Sequence, residues 1–284
     1  MSTSGRTVLI TGCSSGIGRA TAERLAGRGW SVYATARNLR SIQGLEGPNC
    51  RPLRLDVTDP DSIREAVAAV ENAAGTVEAL INNAGYSQSG AVEAVPMDLV
   101  RTQFETNFFG PLGLIQAVLP GMRRAGRGKI VNMSSMGGKL TFPGGGLYHA
   151  SKHAIEALSD ALRFEVRPFG VDVIVIEPGI ITTGFGSAAA SSVPPGTGSD
   201  GPYDDFNTAV AASTQAVYQR GPLRRLGGGP GAVARVIDRA LEAKHPRARY
   251  PVTPSARLLM TARKVMPDGA WDAFLRRRFP HPGP

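Results

Sequence analysis

Apolar positions in this chain switch between two spacings. Short apolar runs at residues 6–10, 31–36, 51–55, 77–81, 129–133 and 171–176 are bounded by glycine or polar turns, as strands are. Between them the spacing lengthens to three and four, as in Ile17, Ala20, Ala22, Leu25 and Ala26, which is the period of one helix face. Helices are predicted after the first run, from Pro60 with Thr58 or Asp59 as cap, across 97–122 without a break, over 147–167 and over 232–243. A last strand is expected at 248–252 and amphipathic helices over 255–279. Strands alternating with helices of this length imply βαβ units, and hence one α/β domain over 1–284. Its core should be a doubly wound parallel sheet with helices on both faces.

Residues 184–231 break the pattern. The stretch from Ser191 to Pro202 is rich in serine, proline and glycine, which reads as a flexible loop within a lid over the site.

Composition mostly excludes. Cys13 and Cys50 are too few for a disulfide framework, and no N-terminal stretch has the character of a secretion signal, so a reducing cytoplasm is the expected setting. The most apolar stretch, 171–181, is interrupted by Asp172, Glu177, Pro178 and Gly179 and is too short to span a bilayer. The net charge of +9 would suit nucleic acid if it lined a groove. Instead it gathers in the C-terminal extension, 253–284, and the residues just before it, ending in Arg276-Arg277-Arg278. No nucleic-acid partner is expected, and the extension reads as a solvated basic surface, with an acidic protein or a membrane surface as the other occupants. His149 and His153 lack metal-ligand company, so no metal site is expected.

Two constellations bear chemistry. In Thr11-Gly12-Cys13-Ser14-Ser15-Gly16-Ile17-Gly18 the glycines lie between strand and helix. Gly12 permits a tight turn, Gly16 a close approach of backbone to a phosphate at the helix N-terminus, and Gly18 close packing of helix on strand. That is the pyrophosphate cradle of a Rossmann-type fold. Ala36-Arg37 ends the second strand, where an acid would accept a ribose 2′-OH; an arginine fork suits a 2′-phosphate instead, with Ser14 assisting. NADP(H) is therefore expected ahead of NAD. In Tyr148-His149-Ala150-Ser151-Lys152, the i, i+4 spacing puts the Lys152 ammonium beside the Tyr148 phenol. A free phenol has a pKa of roughly 10, and a fixed positive charge should pull it down toward phenolate, as acid–base catalysis requires.

With Asn82-Asn83-Ala84-Gly85, Asn107, Val131-Asn132-Met133-Ser134-Ser135 and Pro178-Gly179-Ile180-Ile181-Thr182-Thr183 in the same order and rough spacing, residues 6–183 resemble the short-chain dehydrogenase/reductases. The resemblance implies hydride exchange between a nicotinamide and a carbonyl or alcohol. It implies Tyr148 as general acid/base, Ser135 as donor to the carbonyl oxygen, Lys152 on the nicotinamide ribose and Asn107 behind a water relay. The thirteen-residue interval to Tyr148 favours Ser135 over Ser134. Coenzyme contacts are implied at Ser15 and Ile17 in the glycine loop, Asp56 and Val57 by the adenine, and Asn83, Ala84 and Gly85 along the adenosine ribose. Thr183 is implied near the nicotinamide carboxamide, and Pro178, Gly179 and Ile181 as further coenzyme contacts. Asp56 could equally cap the following turn.

The strings 11–18 and 32–37 are similar to those of NADP-linked 17β-hydroxysteroid and retinol dehydrogenases, which implies a lipophilic ketone. Met136, Leu140, Phe142, Leu147, Phe185, Tyr203 and Phe206 are the candidate pocket residues. A 3-oxoacyl carrier-protein reductase and a catalytically silent NADP-binding sensor or scaffold are the competing readings. Family members self-associate through helices matching 97–122 and 147–169, so a homo-oligomer is expected, with Phe104, Phe108, Phe109 and Leu112 either in that patch or in the core.

Overall fold

The computed structural model describes residues 6–194, 201–219 and 225–279. Seven parallel strands form one sheet: β1 (Thr7–Ile10), β2 (Ser31–Ala36), β3 (Cys50–Arg54), β4 (Ala79–Asn82), β5 (Gly128–Met133), β6 (Val171–Glu177) and β7 (Arg249–Pro251), in the order β3-β2-β1-β4-β5-β6-β7. The order reverses between β1 and β4, where their carboxyl ends open a crevice between the helices of the two faces.

Alternation along each strand builds two cores. Val8, Ile10, Ala79, Ile81, Val131, Ile174 and Ile176 face α1 (Gly16–Gly27) and the helix Pro230–Glu242; Leu9, Leu80, Ile130, Val171 and Val173 face α2 (Pro60–Ala74), a helix over Gly110–Ala125 and a helix over Gly146–Val166. A strand buried on both faces has to be apolar throughout. That is why these runs stand out from the polar helices.

The 97–122 helix is not continuous. It divides into α3 (Met97–Phe104), a π-helical turn (Glu105–Phe109) and α4 (Gly110–Ala125). The extra residue in such a turn shifts the helix phase and is invisible to a search for a 3.6 period. The following long helix, α5 (Gly146–Val166), occupies the expected place, and Asp59 rather than Thr58 caps α2 through its side chain. A 3-10 turn at Leu39–Leu45, capped by Asn38, went unread because it is short and buries two residues, Ile42 and Leu45, while Leu39 is exposed.

The 184–231 segment is largely helical where described: α6 (Phe185–Ser191) and α7 (Asp204–Gln219) pack on each other, and Phe206 and Val210 of α7 bury against Ala91. Residues 195–200 and 220–224 of the expected lid, and 280–284 of the extension, lie outside the described residues. After α8 (Pro230–Glu242) and β7, the extension forms α9 (Pro254–Val265) and α10 (Asp268–Arg276). Trp271 and Leu259 there cover Leu140 and Phe142. Among the described residues no helix is long and apolar enough to cross a membrane.

Candidate active site

A cleft of about 740 Å³ runs along the carboxyl ends of the strands. At one end, α1 begins with no side-chain cap on its first N–H groups and no acid in its first turn. Those unpaired donors and the positive helix end favour an anion. Gly12 has φ +72°, and a Cβ there would come within 2.9 Å of the Ala84 backbone. At Gly18 a Cβ would overlap the Gly12 carbonyl, so the third glycine sets how closely helix and loop pack, as the motif requires. Asn83 holds the loop from behind, its Nδ2 donating to the Thr11 carbonyl at 2.9 Å and the Gly12 carbonyl at 3.1 Å.

The residues expected from the motifs converge. Gly12, Ser14, Ser15, Gly16, Ile17, Arg37, Asp56, Val57, Asn83, Ala84, Gly85, Pro178, Gly179, Ile181 and Thr183 all line the cleft, with Ser135, Tyr148 and Lys152 on its far wall. Gly18 and Asn107 stand behind it. Asp56 lines the cleft and caps the following turn, its Oδ1 accepting from the Thr58 N–H at 3.0 Å and the Thr58 hydroxyl at 2.8 Å. Arg37 is exposed at the mouth and has no ion-pair partner among the described residues.

The π-helical turn aims Asn107 inward. Its Oδ1 accepts from the Tyr86 N–H at 3.0 Å, and its Nδ2 donates to the Tyr86 carbonyl at 2.8 Å and to Ser151 Oγ at 3.1 Å. It thus clamps the loop after β4 to α5. A Cβ at Gly85 would come within 3.0 Å of Asn107 Oδ1 and 3.6 Å of Lys152 Nζ, so the glycine leaves room for both groups beside the loop.

Tyr148 departs from its expected electrostatics. Burial pushes its hydroxyl well above the ordinary phenol range, the neighbouring Tyr218 phenol adds to this, and the hydrogen bond with Ser135 only partly opposes it. Lys152 sits 5.8 Å from the Tyr148 ring centroid, but its ammonium donates to the Met133 carbonyl at 2.8 Å, and burial lowers its own pKa to about 8. Desolvation outweighs the expected pull toward phenolate, so Tyr148 is a neutral phenol. Ser135 also caps the short turn after β5, its Oγ accepting from the Gly137 N–H at 3.1 Å. Ser134 also lines the cleft, and its Oγ donates to the Ser135 carbonyl at 3.4 Å.

The apolar end of the cleft differs from the expected pocket. Leu140 and Phe142 pack under Trp271, Tyr203 and Phe206 pack with Ala91, and Met136 packs with the extension. None of these five, nor Leu147, lines the cleft; of the seven candidates only Phe185 does, joined by Tyr86, Ala188 and Tyr218. Phe185 stacks at a tilt 5.5 Å from Tyr148 and 6.4 Å from Tyr218, whose ring fits because Gly186 has no side chain. Tyr218 was missed because it lies in a segment read as irregular.

A switch-point crevice with a helix N-terminus at one end and a phenol–ammonium pair at the other defines a Rossmann-type α/β oxidoreductase site. The chain belongs to the short-chain dehydrogenase family, whose model matches residues 6–193; its members act on CH–OH and C=O groups. It is similar to the 3-ketodihydrosphingosine reductase of Bacteroides thetaiotaomicron, with 37% identity over 270 residues covering 95% of this chain and 96% of that one. It is also similar to the NADPH-dependent 3-dehydrocapnine reductase of Ornithobacterium rhinotracheale, 34% identical over 278 residues, 94% and 95% of the two chains. Among solved structures, a short-chain dehydrogenase from Streptomyces avermitilis superposes with a TM-score of 0.80 at 34% identity, covering 96% of each chain.

His149, buried between Gly137 and Gly145, has its pKa lowered to about 4 by burial and then by His153. Unfolded, it would take a proton near pH 6.5; folded, it resists until about 4. Stability from this group is therefore whole above 6.5 and lost as pH falls toward 4, by up to about 3 kcal/mol. Urea melts between pH 7 and 4 should be less steep in pH for His149→Gln than for the parent.

Proposed function

We propose that this protein is an NADP(H)-dependent reductase of lipophilic ketones, working in reverse as a secondary-alcohol dehydrogenase. The observation that carries the reading is the convergence of Ser135, Tyr148 and Lys152 on the wall facing the glycine loop. Residues Gly12 to Gly18 fit a pyrophosphate, and the unpaired Arg37 fits a 2′-phosphate. The bound coenzyme would supply the hydride equivalent that reaches the carbonyl carbon.

The chain's own groups handle the oxygen. Ser135 donates to the carbonyl oxygen as negative charge develops, and Tyr148, being a neutral phenol, transfers its proton to the nascent alkoxide. The Lys152 ammonium stabilises the phenolate so formed, and Asn107 keeps the surrounding loop and α5 in register. Burial that disfavours phenolate keeps the proton on Tyr148 for donation but makes it a weaker acid, a cost that the Lys152 ammonium offsets as phenolate forms. The apolar wall of Phe185, Ala188 and Tyr218, roofed by α6 and α7, suits a long apolar substituent rather than a charged one. The names of the two curated relatives, both reductases of 3-keto or 3-dehydro lipids, support a long-chain ketone ahead of a steroid.

Exposed Phe109, Phe164 and Phe169 lie on α4's entry and on and just after α5. Phe164 is 86% exposed, an unusual situation for phenylalanine. These residues suit a homo-oligomer contact through α4 and α5; sedimentation equilibrium should report a dimer or larger, and Phe164→Glu should shift it toward monomer.

Purified protein should oxidise NADPH with long-chain 3-ketones. Tyr148→Phe should cut that turnover at least ~100-fold while retaining NADPH binding; near-parental turnover would refute the catalytic assignment. Arg37→Asp should weaken NADPH binding ~10-fold or more with little effect on NADH, by fluorescence titration.

A further inference from the structure

Behind Lys152, one more turn along α5, lies Glu156, so that Tyr148, Lys152 and Glu156 follow at intervals of four on one face. Glu156 is 3% exposed. Its Oε2 accepts from Lys139 Nζ at 2.8 Å and from Arg249 Nε at 3.0 Å, while its Oε1 is buried without a hydrogen-bond donor from any described residue in regular geometry. Glu177, the last residue of β6 and 1% exposed, meets the same guanidinium: its Oε1 is 3.6 Å from Arg249 Nε and likewise lacks a donor among the described residues. Two buried carboxyls gathered on one guanidinium, each with an oxygen left over, have room for one proton between them.

The pair is built into the site's back wall. A Cβ at Gly138 would come within 2.5 Å of Ser134 Oγ and 3.0 Å of Glu156 Cγ, so the segment carrying Ser135 rests directly on Glu156. Glu177 leads straight into Pro178 and Gly179 of the cleft.

We propose that Glu156 and Glu177 share one proton and together keep Lys152 charged and aligned behind Tyr148, which makes Glu156 a positioning residue for the reaction. The proposal rests on the reading of Tyr148 and Lys152 given above. The charged groups facing the pair are Lys152 and Asp160 from α5, with Arg163 on Asp160, Lys139 from the loop after β5, and Arg249 from β7. Burial strips Lys152 of hydration and favours its neutral amine; Glu156 is the charge that opposes this. Burial and the Glu156 charge together raise Glu177 to about 7, against Lys139 and Arg249, so Glu177 carries the shared proton at lower pH and releases it as pH rises through neutrality. A second negative charge then appears behind Lys152 in the range where the ammonium would otherwise be lost.

The chain has five lysines, Lys129, Lys139, Lys152, Lys244 and Lys264, so protein labelled with ε-13C lysine gives a countable spectrum in which the Lys152 signal is assigned by its absence in Lys152→Met. In the parent, Lys152 should titrate near pH 8. Glu156→Gln should lower that midpoint by about one pH unit or more, and Glu156→Asp should restore part of it. Glu177→Gln mimics the protonated member and should lower the midpoint by less. It also supplies the test should Glu156→Gln fail to fold. An unmoved Lys152 midpoint in the folded variants, whatever their melting temperatures, would overturn the proposal and leave the cluster a structural ion-pair network. The two readings fail separately: full activity in Tyr148→Phe sinks the functional reading without touching the Lys152 titration, whereas an inactive Tyr148→Phe with an unmoved midpoint sinks only the carboxyl pair.

Discussion

The burial of Lys152 and the half-burial of Tyr148 in the wall of the cleft are the constraint on which the site depends. Removing a phenol and an ammonium from water favours the neutral form of each, raising one pKa and lowering the other. Left alone, that would give an uncharged amine beside an inert phenol. The surroundings oppose it with specific partners: Ser135 on the phenol, the Met133 carbonyl and the Glu156 carboxylate on the lysine. They come from the end of β5, the loop that follows it and α5, so the chemistry requires β5 and α5 to be locked in register.

The other end of the cleft has the opposite demand. Here nothing may be added: the backbone of Gly12 passes so close to Ala84, and Gly18 so close to Gly12, that any side chain would force helix and sheet apart. Asn83 stitches this loop to the end of β4, and Asn107 stitches the loop after β4 to α5. The two asparagines thus connect the anion end to the catalytic end through backbone hydrogen bonds. Both are held by geometry that a buried amide can satisfy only in one orientation.

Much of this was legible in the chain. Strands buried on both faces must be apolar throughout, so the five central strands stand out; the edge strands β3 and β7, less buried, were found within a residue or two from the turns that bound them, and the glycine loop and the Tyr148–Lys152 spacing announce themselves. Three features were not legible. The π-helical turn around Asn107 inserts a residue without changing the apolar pattern. The 184–231 segment is helical in part although it breaks the strand–helix alternation, and α7 buries Phe206 and Val210 against Ala91 of a distant loop, a contact no local pattern shows. The expected pocket residues Leu140 and Phe142 were claimed by Trp271 of the extension, since an apolar side chain goes to whichever surface covers it first.

The sequence by itself determined the parallel sheet, the glycine loop and the candidate pair Tyr148 and Lys152, because those depend on local period, glycine and i, i+4 spacing. Only the tertiary structure decided the electrostatics: that Tyr148 is held neutral, that Lys152 is turned to the Met133 carbonyl, and that Glu177 stands against Glu156. Desolvation and long-range pairing between residues far apart in the chain exist only once the chain has folded. No reading of neighbours along the backbone contains them.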